Sequence, residues 1–99
     1  MQESKNFEIE YSEYALEFLE KTDRQLKKRI LKKVKYLAKN FDKLTHFPLT
    51  HEARDFFKLR IGKYRVIYFV DWKTNKIRIA LIDRRDKVYK ILKHLVNGL

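Results

Sequence analysis

The chain has 99 residues, enough for one domain and too few for two, with 24 Lys and Arg against 13 Asp and Glu for a net charge of +11. It has no cysteine, which excludes disulfides and thiol catalysis, and no apolar run near the roughly 18 residues of a membrane span. Its 44 % hydrophobic and 14 % aromatic content describes a globular domain rather than a disordered chain, and the opening MQESKNFEIE has no signal-peptide pattern, so a cytoplasmic location is expected.

Along the chain, Phe7, Ile9 and Tyr11 alternate with Glu8 and Glu10, the period of a half-buried strand. Ser12 is placed to cap a helix through SEYALEFLEK whose apolar face carries Ala15, Leu16, Phe18 and Leu19. Thr22 and Gln25 have the spacing of a capping box that opens a second, longer helix. In that helix Leu26, Ile30, Val34, Leu37 and Phe41 form one buried stripe, with Leu31 and Ala38 beside it and Lys27, Lys28, Lys32, Lys35 and Lys39 on the other surface. FDKLTHFPLTHEARD reads as irregular, broken by Pro48. Residues 56–61 and 64–70 then form a hairpin around Gly62 and Lys63, and KIRIALID adds a third strand. The tail DKVYKILKHLVNGL has Val88, Ile91, Leu92, Leu95 and Val96 at helical spacing, with Gly98 placed to end it. The order β-α-α-β-β-β-α predicts an α+β domain. A largely antiparallel sheet carries an N-terminal strand, a two-helix hairpin on one face and a C-terminal helix.

Charge is unevenly spread. Residues 1–20 hold six Glu and one Lys, and residues 21–99 hold 23 cations and seven anions. A basic surface of that size attracts polyanions, nucleic acid first and an acidic protein segment second. The hairpin FKLRIGKYRVIYFV concentrates it. If Ile61 pairs with Tyr64, then Phe57, Leu59, Ile61, Tyr64, Val66 and Tyr68 share the core face with Ile77, Ile79 and Leu81. The opposite face receives Lys58, Arg60, Arg65 and Arg78 among Ile67, Phe69, Ala80 and Ile82, with Arg60 across from Arg65. Like charges facing each other weaken a sheet, so the pair either splays into solvent over its apolar neighbours or grips a phosphate through bidentate hydrogen bonds. IDRRDKVY adds Arg84, Arg85 and Tyr89 where the last strand ends; Tyr89 is either core or a phenol that moves protons beside cations. His46, His51 and His94 have no metal-ligand spacing, and neither a metal nor a cofactor is expected. His51 and Glu52 lie in the loop before the hairpin as a polar loop or as proton acceptors.

Two blocks carry a resemblance. Leu59-Arg60-Ile61-Gly62-Lys63-Tyr64-Arg65-Val66-Ile67-Tyr68, followed by Ile82-Asp83-Arg84-Arg85-Asp86-Lys87-Val88-Tyr89, resembles the RelE/ParE toxin superfamily of prokaryotic toxin–antitoxin modules. The resemblance implies a RelE-like endoribonuclease that cleaves mRNA in the ribosomal A site without metal. There the ribose 2′-hydroxyl attacks the adjacent phosphate. It implies catalytic roles for Lys58 as base or stabiliser, Arg65 and Arg85 as phosphate stabilisers and Tyr89 as proton carrier, with RNA bound by Arg60, Lys63, Arg78 and Arg84. Arg84 stands where many members carry a histidine, which leaves more to Tyr89, and Glu52 is a carboxylate that some branches would use as base. The implied partners are the ribosome, mRNA and a cognate antitoxin whose acidic segment wraps the toxin, in a heterotetramer built on a dimeric antitoxin. The alternatives within the superfamily are a ParE-like inhibitor of DNA gyrase and an inactive binding protein.

Overall fold

The structure, a computed structural model, describes residues 7–50 and 55–97. Its elements are β1 (Glu8–Tyr11), α1 (Glu13–Lys21), α2 (Arg24–Lys39), a 3-10 turn (Phe41–Lys43), β2 (Phe47–Pro48), β3 (Phe57–Ile61), β4 (Tyr64–Asp71), β5 (Lys76–Arg84) and α3 (Arg85–Asn97). The five strands form one sheet in the order β1-β5-β4-β3-β2, antiparallel except that β1 runs parallel to β5. The expected α+β class holds. No helix among the described residues is long and apolar enough to cross a membrane.

Local chemistry accounts for the element ends. Ser12 caps α1, its Oγ accepting from the Ala15 N–H at 3.1 Å. The cap of α2 is Asp23 rather than Thr22: Asp23 accepts from the Leu26 N–H at 2.8 Å, while Thr22 closes α1 by donating its N–H to Phe18 O. An Asp at this position is the stronger acceptor and shifts the expected start by one residue. Leu16 and Leu31, expected on buried faces, are 47 % and 36 % exposed. Pro48 does not break structure altogether. It sits in the two-residue edge strand β2, where its missing N–H is tolerated. Gly62 takes φ 57° at the first position of a two-residue hairpin turn, the conformation that favours glycine there. The expected terminator Gly98 lies outside the described residues.

The hairpin register is the one expected: Ile61 opposite Tyr64, Arg60 opposite Arg65, Leu59 opposite Val66, Phe57 opposite Tyr68. On β5 the expected alternation fails midway. Ile67 pairs with Leu81 but Tyr68 pairs with Ile79, leaving Ala80 as the extra residue of a β-bulge. The carbonyl of Ala80 accepts instead from Ser12 Oγ at 2.6 Å. Beyond the bulge every β5 side chain changes face. Ile82 joins Ile77 and Ile79 in the main core against α1 and α2, and Leu81 moves to the other side.

That other side is not an open surface. Ile67 and Leu81 are buried there with Leu49 and with Val88 of α3, flanked by Phe56, Tyr89, Ile91 and Leu92. The sheet is therefore covered on both faces, by α1 and α2 on one and by α3 on the other. The reason is the amphipathic spacing of α3, whose apolar side needs a partner and finds the small apolar set of β4 and β5.

Candidate functional site

Beside β3, next to the short edge strand β2, opens a cleft of about 480 Å³ lined by Lys58, Arg60, Arg65, Arg85 and Tyr89, with Leu44, Thr45 and Phe47 also in its lining. Each element places its residues for a separate reason. Lys58 and Arg60 project from the same side of β3 because strand side chains alternate. The two-residue turn then puts Arg65 of β4 directly across from Arg60. Arg85 opens α3, and its N–H donates to Lys63 O at 2.9 Å, which ties the helix start to the tip of the hairpin. Tyr89 follows four residues later on the same helix face.

Arg65 is the most constrained member. It is 7 % exposed, and its Nη1 donates to the carbonyls of Gly62 and Tyr64, both at 2.9 Å. Burial holds its guanidinium below the usual arginine range, Arg60 and Arg85 push the same way, and Tyr89 opposes them. The Arg65 guanidinium thus feels the charge of all three neighbours. Asp83 is in register with Arg65, yet its carboxylate accepts from the Arg84 N–H at 2.7 Å. Among the described residues no carboxylate forms an ion pair with Lys58, Arg60, Arg65 or Arg85. A positive cleft without counter-charge is an anion site by its own electrostatics.

Three residues expected at the site are elsewhere. Arg78 lies opposite Phe69, four residues along β4 from Arg65, and is neutralised by Glu10 of β1 and by Asp71 at 3.6 Å. The parallel pairing of β1 with β5 brings Glu10 beside it. Arg84 falls beyond the bulge, pairs with Tyr64 and meets Asp86 at 3.6 Å, so it faces away from the cleft. Lys63 occupies the turn and contributes its carbonyl, while its side chain is not part of the cleft lining. His51 and Glu52 lie outside the described residues.

One pair escaped the sequence reading. His46 Nε2 donates to Phe41 O at 2.8 Å, which leaves Nδ1 to accept from the Tyr68 hydroxyl at 2.7 Å. His46 also stacks on Phe41 with ring centroids 3.9 Å apart. Burial pushes the Tyr68 phenol up to about 12, so it remains a neutral donor. The pair ties the segment carrying Leu44, Thr45 and Phe47 to the sheet and so fixes one wall of the cleft. Nothing in the spacing of residues 46 and 68 signals this contact; it follows from the fold.

Comparison with known proteins places this architecture. Residues 9–89 match the family described as ParE toxin of type II toxin–antitoxin system, parDE. A search of curated proteins gives no match. Among solved structures, the toxin–antitoxin complex RelBE2 from Mycobacterium tuberculosis contains a chain with TM-score 0.70 and 21 % identity over 82 % of this chain and 100 % of that one. The archaeal RelE–RelB complex from Pyrococcus horikoshii gives 0.63 and 23 % over 82 % and 97 %. The isolated E. coli RelE toxin gives 0.65 and 15 % over 90 % and 98 %. At these identities the likeness is one of fold. With the family match covering most of its length, the chain belongs to the RelE/ParE superfamily as a toxin of a type II toxin–antitoxin system.

Proposed function

We propose that this toxin is a metal-independent endoribonuclease of the RelE kind, cutting mRNA in the ribosomal A site in the cytoplasm. The observation that supports it most directly is the convergence of Lys58, Arg60, Arg65, Arg85 and Tyr89 on one cleft, where none of the four cations is ion-paired among the described residues.

In this reading a phosphodiester sits among the three arginines. The 2′-oxygen bonds to phosphorus as the bond to the 5′-oxygen breaks, giving a 2′,3′-cyclic phosphate and a free 5′-hydroxyl. Charge grows on the equatorial oxygens in the transition state, where fixed donors are worth most. Arg65 has two of its five N–H donors committed to backbone carbonyls, leaving three for the phosphate in a fixed orientation. Arg85 supplies a second fork from the helix start, and Arg60 orients the strand. Lys58 stabilises the phosphorane or takes the 2′-proton, and Tyr89 carries the proton between the attacking and leaving oxygens. An acidic segment of the cognate antitoxin would cover this surface and silence it, in a heterotetramer built on an antitoxin dimer.

Expression in growing cells with primer-extension mapping of transcripts tests the reading. New 5′ ends inside translated frames are expected, and Tyr89→Phe and Arg65→Ala should each abolish them. The match to the ParE branch favours a second reading, a gyrase poison without chemistry of its own. Arrested growth with DNA cleavage complexes, intact transcripts and a fully toxic Tyr89→Phe variant would establish that reading and reject the first.

A further inference from the structure

Beside the cationic cleft lies a second one of about 510 Å³ with a different lining. Phe41, Phe57, Phe69 and Trp72 wall it with aromatic surface, and Asp42 and Asp55 add two carboxylates. The catalytic reading uses none of these. Trp72 is 61 % exposed while its ring meets Phe7 and Phe41 edge-on, with centroids 5.9 Å apart in both pairs. The two clefts adjoin: Leu44 lines both, and the consecutive residues Phe57 and Lys58 of β3 line one each.

We propose that the aromatic cleft is a nucleobase site. It holds a base of the same RNA strand whose phosphate lies among Arg60, Arg65 and Arg85, and it favours bases bearing an exocyclic amino group. The inference rests on the ribonuclease reading for the identity of the strand. Proteins that hold single-stranded nucleic acid pair a positive groove for the backbone with aromatic faces for the bases, and here the two stand side by side. The carboxylates sort the strand. They repel phosphate, so the backbone stays in the cationic cleft and the base enters the aromatic one. Ionised carboxylates only accept hydrogen bonds, so they pair with the amino group of cytosine, adenine or guanine, whereas the single imino N–H of uracil lies between two carbonyl oxygens that repel a carboxylate. A cationic side chain of a partner protein is the competing occupant of an aromatic and acidic cleft. The phosphate site next door favours the base.

Trp72 is the only tryptophan in the chain, so its fluorescence reports on this cleft. The experiment titrates the full chain with a cytidine RNA pentamer and a uridine RNA pentamer, whose rings are of similar size. Both should quench Trp72, the cytidine strand binding about tenfold more tightly. The double variant Asp42→Asn with Asp55→Asn should bring the two affinities within about twofold, because an amide both donates and accepts. In cells the cleavage positions of the same variant should spread to uridine. Absence of quenching, equal affinity of the parent protein for both pentamers, or a preference unchanged in the double variant would overturn the proposal. So would quenching by a lysine pentapeptide in place of RNA. Quenching that discriminates cytidine from uridine without any transcript cleavage would remove the ribonuclease reading and leave the base site standing. Cleavage whose base preference ignores the double variant would do the reverse.

Discussion

Arg65 does two jobs with one side chain, and the two can be separated. Its Nη1 bonds to Gly62 O and Tyr64 O hold the hairpin turn, while the rest of the guanidinium lines the cleft. Arg65→Ala should therefore lose toxicity and also about 1–3 kcal/mol of stability, since two carbonyls lose a charged donor. Tyr89→Phe should lose toxicity while staying within about 0.5 kcal/mol of the parent, because it removes one hydroxyl of a half-buried side chain that has no hydrogen-bond partner among the described residues. Urea unfolding of both variants, beside growth assays, separates the roles. Tyr68 makes a different prediction. Its phenol is raised from 10 to about 12 by burial, so the folded protein holds the proton after the unfolded chain has released it. That stabilisation is complete below pH 10 and is lost as pH rises through 12, amounting to up to about 3 kcal/mol. Stability measured from pH 9 upward should fall more steeply in the parent than in Tyr68→Phe.

Among the elements, β5 depends most on a contact distant in sequence. Ser12 accepts from the Ala15 N–H as the cap of α1 and donates to the carbonyl of Ala80 at the bulge. Ser12→Ala removes both bonds at once and should cost about 2–3 kcal/mol, more than a lone cap, whereas Ser12→Thr should retain most of it. Thermal unfolding of the two variants checks the difference. The hairpin β3–β4 was legible in the sequence down to its register, because a two-residue loop beginning with glycine leaves the strands one pairing. The bulge was not. Ala80, Leu81 and Ile82 are consecutive apolar residues, and such a run fits either face, so only the packing of α3 and the reach of Ser12 decide where the alternation slips. The same slip explains why Arg84, next to Arg85 in sequence, is absent from the cleft that Arg85 lines. Arg78 failed for another reason: the pairing of β1 with β5, which supplies Glu10, joins segments too far apart for local pattern to specify.

At the level of the molecule, the net charge of +11 has a structured distribution. Helix α2 carries eight cations and no anion along its length, and β1 and α1 together hold five of the 13 Asp and Glu. The excess was legible from composition; the closed second face of the sheet was not, because amphipathic spacing shows that α3 needs a partner without naming which. Where the charge meets the cleft it has a measurable consequence. Four cations that no described carboxylate pairs with line it, so binding of single-stranded RNA should weaken with salt at a slope of about −3 in log affinity against log concentration, from about 0.7 per neutralised phosphate. Replacing Lys58 and Arg60 together by glutamine should reduce that slope by about 1.4. Titrations at several salt concentrations would detect either; a slope near zero would mean that the backbone does not lie there.

The extra residue in β5 gives the strand a parity. Every side chain from Leu81 onward is assigned its side by one count, so losing or gaining a single amino acid between Ile79 and Leu81 would exchange inside for outside through Arg84. Leu81 would leave Val88 without its companion, and Arg84 would swing toward the three arginines and crowd them with a fourth. Substitutions in this stretch should be absorbed far more readily than any change in its length.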